Sequence, residues 1–279
     1  MNIDTTYCGK IGIVGRVNAG KSSILNKLIG HKISITSRKS GTTQKNIIGI
    51  HTVKKYQCIY IDTPGVEISK QHFKKIFFKK KNYIQLIIFV INKTKWLTLE
   101  DIILQQIKKF LIPTILIINK IDHIKHKRQL LPFIDVIHKK HNFLSIIPVS
   151  AKTGKNINIL SNIIQKNLPR SQYIFDKNNI TTESTTFIIS EIIREKLIRL
   201  LNQELPYLIK INIDMCYINH AGIYQINASI FIKNIRQKKI IIGKNGEKIN
   251  LCLALATKDI QKYIKKKIKL NVNIKTIKK

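Results

Sequence analysis

Acidic residues are scarce in this sequence: 15 Asp and Glu stand against 50 Lys and Arg in 279 residues, a formal net charge of +35. Such a chain attracts any polyanion, whether RNA, DNA or an anionic membrane surface. Arginine is scarce as well, at seven of the 50 basic positions, while Lys, Ile and Asn abound. These three have A/T-rich codons, so base composition accounts for much of the lysine, and charge alone assigns no partner. Cysteine is limited to Cys8, Cys58, Cys216 and Cys252, with no C-x-x-C spacing. That excludes a paired zinc or redox motif and predicts buried thiols in a reducing cytoplasm. Long apolar runs are missing. The longest, 86–91 and 111–118, are far too short to span a membrane and suit buried parallel strands. Residues 1–16 lack the basic, apolar and cleavage regions of a signal peptide, so a soluble cytoplasmic protein is expected.

What remains is rich enough to fold. At 44% apolar residues the chain can build a substantial core, and its length suits two domains. From residue 10 to 168, short β-rich apolar runs (10–14, 47–53, 57–61, 86–91, 113–118, 146–149) alternate with segments of helical period (21–29, 99–110, 129–138, 156–167). That alternation predicts an α/β domain over 1–168 with a mainly parallel sheet and helices on both faces. Ligands of such sheets sit at the carboxyl ends of strands. Residues 169–183 contain Pro169 and no periodicity, and are expected to be a linker. Beyond it, over 184–279, the predicted order is helix, strand, strand, two helical stretches about Gly243–Gly246, and a last strand at 269–274. The polar turn at 219–222 joins the first two strands, and the lysine run at 265–267 reads as a solvated helix end.

Four motifs fall where strands end. Gly15-Arg16-Val17-Asn18-Ala19-Gly20-Lys21-Ser22 fits G-x-x-x-x-G-K-[ST] between a strand and a helix. Its glycines let backbone N–H groups wrap a β-phosphate. Lys21 would neutralise the β- and γ-phosphates, and Ser22 would ligate Mg²⁺. Asp62-Thr63-Pro64-Gly65 supplies a carboxylate to hold Mg²⁺ through water and a Gly65 N–H to sense the γ-phosphate. Asn119-Lys120-Ile121-Asp122 supplies Asp122, which can accept from guanine N1–H and the 2-amino group; adenine lacks that donor pair. Lys120 would lie over the base, and Asn119 would tie this loop to the phosphate loop. Ser150-Ala151-Lys152 can donate from its backbone to guanine O6. The expected GTP-binding set is Gly15, Asn18, Ala19, Gly20, Lys21, Ser22, Ser23, Asp62, Gly65, Asn119, Lys120, Asp122, Ser150, Ala151 and Lys152. In the polar loop 37–43, Thr43 is favoured over Thr42 as a switch residue reaching Mg²⁺ and the γ-phosphate. Lys21, Thr43, Asp62 and Gly65 are thus the expected catalytic residues.

Together with the stretches 33–43, 190–196, 204–207 and 243–246, these motifs make the chain resemble the Era-type GTPases of bacterial ribosome assembly. The resemblance covers nearly the whole sequence. It implies a GTPase domain followed by a type II KH domain that binds the 3′ end of small-subunit ribosomal RNA and assists maturation of that subunit. The residues alone support the second domain through Ile242-Gly243-Lys244-Asn245-Gly246, where a G-x-x-G turn lets an RNA backbone approach closely. Lys244 and Lys248 add phosphate attraction. Asn18 resembles the asparagine through which related GTPases hold K⁺, so K⁺ joins GTP and Mg²⁺ as an expected cofactor. A monomer is expected.

Several departures from the family pattern stand out. Gln44 replaces an arginine after the paired threonines, the stretch 65–85 is a few residues short, and Val66 stands where some GTPases carry a water-orienting glutamine. Valine cannot hydrogen-bond water, so slow intrinsic turnover is expected. The sequence stops soon after its last predicted strand, where relatives continue, so RNA contacts from such a tail are expected to be missing. Two other readings stay open: an RNA-binding module that uses GTP structurally with little hydrolysis, and a tRNA-modification-type GTPase. Peripheral attachment to the inner face of the cell membrane rests on charge alone.

Overall fold

The structure, a computed structural model, describes residues 5–36, 46–63, 83–201 and 209–276. Its backbone contacts divide the chain into two compact units that meet between Thr182 and Glu183, with Ile35 and Thr36 counted in the second.

The first unit is built on strands β1 (Tyr7–Gly15), β2 (Ile47–Val53), β3 (Tyr56–Asp62), β4 (Leu86–Asn92), β5 (Thr114–Asn119) and β6 (Ser145–Pro148). They form one sheet in the order β2-β3-β1-β4-β5-β6. All neighbours are parallel except β2 and β3, which form an antiparallel hairpin. Between them run α1 (Lys21–Ile29), α2 (Thr98–Lys108), α3 (Leu130–His138) and α4 (Ile157–Lys166). Strands β4 and β5 are apolar on both sides because both faces are covered. On one face Ile87, Phe89, Ile91, Leu116 and Ile118 meet Ile103, Leu104 and Ile107 of α2 and Ile137 of α3. On the other, α1 packs over β2 and β3 beside α4. The strand order turns back between β1 and β4, opening a crevice at the carboxyl ends where the phosphate loop begins.

Packing of α1 on β2 leaves no room for a side chain at Gly49. A Cβ there would lie 2.1 Å from Ile29 Cδ1, 2.8 Å from Ile33 Cδ1 and 3.0 Å from Leu25 Cδ1. All three neighbours are buried. Gly49→Ala is therefore expected to cost about 1–3 kcal/mol through overpacking, read as a lower urea midpoint at unchanged m-value.

The stretch expected to be a linker is docked along the sheet edge. Buried Gln57 accepts from the N–H groups of Ile174 and Phe175 (2.9 and 3.0 Å) and donates to the Phe175 carbonyl (2.7 Å). Further along, Ile50 N–H donates to Ile180 O and Thr181 Oγ1 to Ile48 O. These bonds involve backbone groups, one glutamine and one threonine hydroxyl, so no apolar period announces them.

The second unit contains α5 (Thr185–Leu200), β7 (Lys210–Ile218), β8 (Tyr224–Ile232), α6 (Ile235–Ile242), α7 (Glu247–Ile264) and β9 (Ile268–Thr276). Its sheet order is β7-β8-β9, antiparallel then parallel. Ser184 caps α5, its hydroxyl accepting from Phe187 N–H. The isoleucines of α5, Cys252, Ala256 and Ile260 of α7, and Ile226, Ala228 and Ile230 of β8 are buried as its core. A partly buried ion pair joins Lys196 of α5 to Asp259 of α7. Cys8, Cys58 and Cys252 are buried as expected, but Cys216 is only half-buried because β7 lies at the sheet edge.

Candidate nucleotide site and G-x-x-G turn

The phosphate loop follows β1 and ends where Gly20 caps α1. Three of its residues need positive φ: Gly15 (148°), Asn18 (61°) and Gly20 (99°). Lys21, the first residue of α1, is buried, and its ammonium donates back to the carbonyls of Gly15 (2.9 Å) and Arg16 (3.0 Å). Burial lowers its pKa to about 8, with the Asp62 carboxylate pulling the other way. Phosphate oxygens arriving here would favour its charged form and raise that pKa again. Arg16 points away from this cradle, its Nε in a close 2.6 Å ion contact with the wholly buried Glu100 at the start of α2.

Asp62 ends β3 and is completely buried. Its Oδ2 accepts from the hydroxyls of Ser22 (2.6 Å) and Ser34 (3.0 Å), while Oδ1 has no partner among the described residues. Burial raises its pKa, opposed by Lys21 and then by the two hydroxyls. Thr63 turns inward to donate to Ile13 O (2.8 Å).

Asn119 ends β5 and ties three loops together. Its Nδ2 donates to Ala19 O (2.8 Å), and its Oδ1 accepts from Ala151 N–H (3.1 Å). Lys120, at φ 62°, reaches Asn18 O (2.7 Å). Asp122 Oδ1 accepts from buried Ser150 Oγ (2.7 Å), and that bond holds its carboxyl below the usual range. Ser23 is half-buried within α1 and Lys152 is exposed. Gly15, Asn18, Ala19, Gly20, Lys21, Ser22, Asp62, Asn119, Lys120, Asp122, Ser150 and Ala151 thus gather at or just beyond the carboxyl ends of β1, β3, β5 and β6. Thr42, Thr43, Gln44, Gly65 and Val66 lie outside the described residues.

In the second unit α6 ends at Ile242, and the chain turns through Gly243 (φ 75°), Asn245 (51°) and Gly246 (80°) into α7. A Cβ at Gly243 would sit 2.8 Å from Lys248 Cγ, so the glycine lets that lysine fold over the turn. Lys244, Asn245 and Lys248 are exposed, and Ile242 is half-buried. Sequence reading missed Leu251 and Leu255. Both are exposed apolar residues on the face of α7 that also carries Lys248, at the three- and four-residue steps of one helical stripe.

Residues 10–120 match a family described as 50S ribosome-binding GTPase, and residues 204–279 match a KH domain family. A protein described as GTPase Era from Buchnera aphidicola subsp. Acyrthosiphon pisum (strain APS) is 47% identical over 272 residues, 95% of this chain and 96% of that protein. The chain belongs to the Era family of GTPases. An Era structure in complex with MgGDPNP and nucleotides 1506–1542 of 16S ribosomal RNA aligns with a TM-score of 0.87 and 32% identity, over 98% of this chain and 94% of that one. A single-residue variant of Aquifex aeolicus Era bound to GDP and AlF4⁻ aligns equally well, with the same identity, coverage and TM-score. The phosphate-loop fold, the KH domain and the hydrolysis of GTP therefore belong to this Era-family protein. No helix among the described residues is long and apolar enough to cross a membrane.

Proposed function

We propose that this protein is a GTP-driven switch that binds the 3′ end of 16S ribosomal RNA and assists assembly of the small ribosomal subunit. The observation that carries the reading is the union on one chain of a guanine-nucleotide site with an exposed, lysine-flanked G-x-x-G turn. The Era relative holding MgGDPNP and 16S RNA supports it. Residues 1–168 would form the GTP-binding domain, 169–183 the connection and 184–279 the RNA-binding domain.

Gly15, Asn18, Ala19, Gly20, Lys21, Ser22 and Ser23 hold the phosphates. Asn119, Lys120, Asp122, Ser150, Ala151 and Lys152 hold the base. Mg²⁺ fits the pairing of the Ser22 hydroxyl with a buried carboxylate whose second oxygen has no partner among the described residues. Ser22 and Thr43 would ligate it, and Asp62 would accept from its water. Bound there, it neutralises charge on the β- and γ-oxygens. Lys21 moves from the loop carbonyls to the phosphates, the Gly65 N–H meets the γ-phosphate, and water attacks in line. Val66 cannot orient that water, so turnover is slow without help. K⁺ at Asn18 would add positive charge beside the phosphates; exchange of K⁺ for Na⁺ then lowers the GTPase rate. Ile242, Gly243, Lys244, Asn245, Gly246 and Lys248 bind single-stranded RNA. The protein works as a cytoplasmic monomer, and any attachment to the inner membrane face is electrostatic and washes off in moderate salt.

Affinity for an rRNA 3′-end oligonucleotide is compared with that for a scrambled one, at physiological salt, with a nonhydrolysable GTP analogue and with GDP. Preference for the authentic RNA, strengthened by the analogue, is expected. The paired change Lys244→Asp and Asn245→Asp is expected to weaken RNA binding on the order of 10–100-fold and leave GTP affinity intact. Equal binding of both RNAs in both nucleotide states would overturn the assignment.

A further inference from the structure

One of the groups that hold buried Asp62 has no part in the nucleotide reading. Asp62 Oδ2 accepts from Ser34 Oγ at 3.0 Å, and Ser34 is itself buried. Ser34 comes from the segment that leads into the polar loop carrying Thr42 and Thr43. The backbone at this point is seated by another residue. Asn26 of α1 accepts through Oδ1 from the N–H groups of Ile33 and Ser34, both at 3.0 Å, and donates through Nδ2 to Ser34 O at 2.7 Å. Three bonds from one amide fix the segment to the helix that also carries Ser22. The Ser34 hydroxyl is therefore not needed to hold its own backbone. It points instead at the carboxylate that faces Ser22.

We propose that Ser34 is a positioning residue for the metal-binding carboxylate, holding Asp62 in the orientation that presents it to Mg²⁺, with Asn26 setting the position of Ser34. This rests on the reading above in which Asp62 and Ser22 serve Mg²⁺. The carboxylate has few ways to turn inside the core, and the two hydroxyls on Oδ2 leave Oδ1 for a metal-bound water. When Ser22 directs a lone pair to the metal, Ser34 remains as the bond that keeps the carboxylate from rotating. Asn26 joins the first helix, the root of the switch loop and the metal acid in a continuous chain of hydrogen bonds. Partners of a metal's own ligands typically carry about 10- to 100-fold in metal affinity. Ser34 acts one step further out, through a carboxylate that would hold a metal-bound water, so a loss at the lower end of that range is expected.

The test uses the full chain and a fluorescent GDP, whose equilibrium binding and release are followed as Mg²⁺ is titrated. Ser34→Ala is expected to raise the Mg²⁺ concentration for half-maximal slowing of GDP release about tenfold. Because Asn26 still seats the backbone, its GDP affinity in EDTA is expected to match the parent protein, while loss of a buried donor to a carboxylate lowers the urea midpoint modestly. Ser34→Thr restores the hydroxyl and is expected to recover the Mg²⁺ midpoint. An unchanged midpoint in Ser34→Ala, or an equal loss of GDP affinity with and without Mg²⁺, would overturn the proposal. Asp62→Asn separates the two levels of the argument. If it leaves the Mg²⁺ dependence of GDP release intact, the metal assignment itself fails and Ser34 falls with it.

Discussion

Asp122→Asn is expected to lower GTP affinity on the order of 10²–10³-fold and to create affinity for xanthosine triphosphate. The carboxylate is held by Ser150 Oγ at 2.7 Å and stays ionised well below neutral pH, so it offers two acceptors to guanine N1–H and the 2-amino group. An amide offers one acceptor and one donor. The guanine amino group would then face an N–H, losing a charge-assisted bond and leaving two donors opposed. Xanthine carries a carbonyl at that position and matches the amide. Competition of GTP and xanthosine triphosphate against a fluorescent guanine nucleotide reads both changes. Undiminished GTP binding would mean that Asp122 does not meet the base.

The parts of this fold that could be read from sequence are those written in side-chain chemistry. The strand at 47–53 and the helix at 21–29 have their predicted bounds, the strand from its β-rich apolar run and the helix from the phosphate-loop motif at its start. The strand at 57–61 is extended by one residue at each end to Tyr56–Asp62, which puts the motif carboxylate at the strand terminus. The antiparallel pairing of β2 was not legible. Its sequence, Ile-Ile-Gly-Ile-His-Thr-Val, fixes neither partner nor direction, and the short turn at 54–55 is the only local sign of a hairpin. The docked path of 170–181 was hidden for a related reason: Gln57 reads as one polar residue in a strand until the backbone groups it serves are known. Ser34, Asn26 and Glu100 were missed because each serves another group in the site. Two uncharged residues and one acid on a helix carry no spacing rule that a motif could record.

Charge shows the opposite failure, since a loud signal says little. The excess of lysine predicts attraction to RNA without saying where RNA sits. The G-x-x-G turn is more informative because its geometry is demanding: three residues with positive φ in four positions, between two helices, with lysines exposed beside it. A stripe formed by Lys248, Leu251 and Leu255 continues along α7 and offers apolar surface beside positive charge. Splayed bases need that combination, whereas a solvated lysine face lacks its apolar half.

Gly20→Ala is expected to reduce affinity for both GTP and GDP at least about 100-fold, since it damages the phosphate loop and the base loop together. A Cβ at Gly20 would lie 2.1 Å from Asn119 Nδ2. That amide cannot swing aside freely, because it is buried and bonded to Ala19 O on one side and Ala151 N–H on the other. Moving it releases the phosphate loop from the base-binding loops. The backbone at φ 99° adds strain of about 1–2 kcal/mol. Gly30→Ala separates clash from strain: Gly30 has φ 78°, yet nothing among the described residues lies within 4 Å of its added Cβ. It is expected to lose about 1 kcal/mol of stability and to keep its nucleotide affinity. Calorimetric titration with GDP, alongside urea unfolding, reads both variants. If Gly20→Ala binds GDP as Gly30→Ala does, the Asn119 tie is dispensable and the loops are ordered by the nucleotide itself. If only Gly20→Ala loses binding, the site is preorganised by a contact between residues 99 positions apart, Gly20 and Asn119.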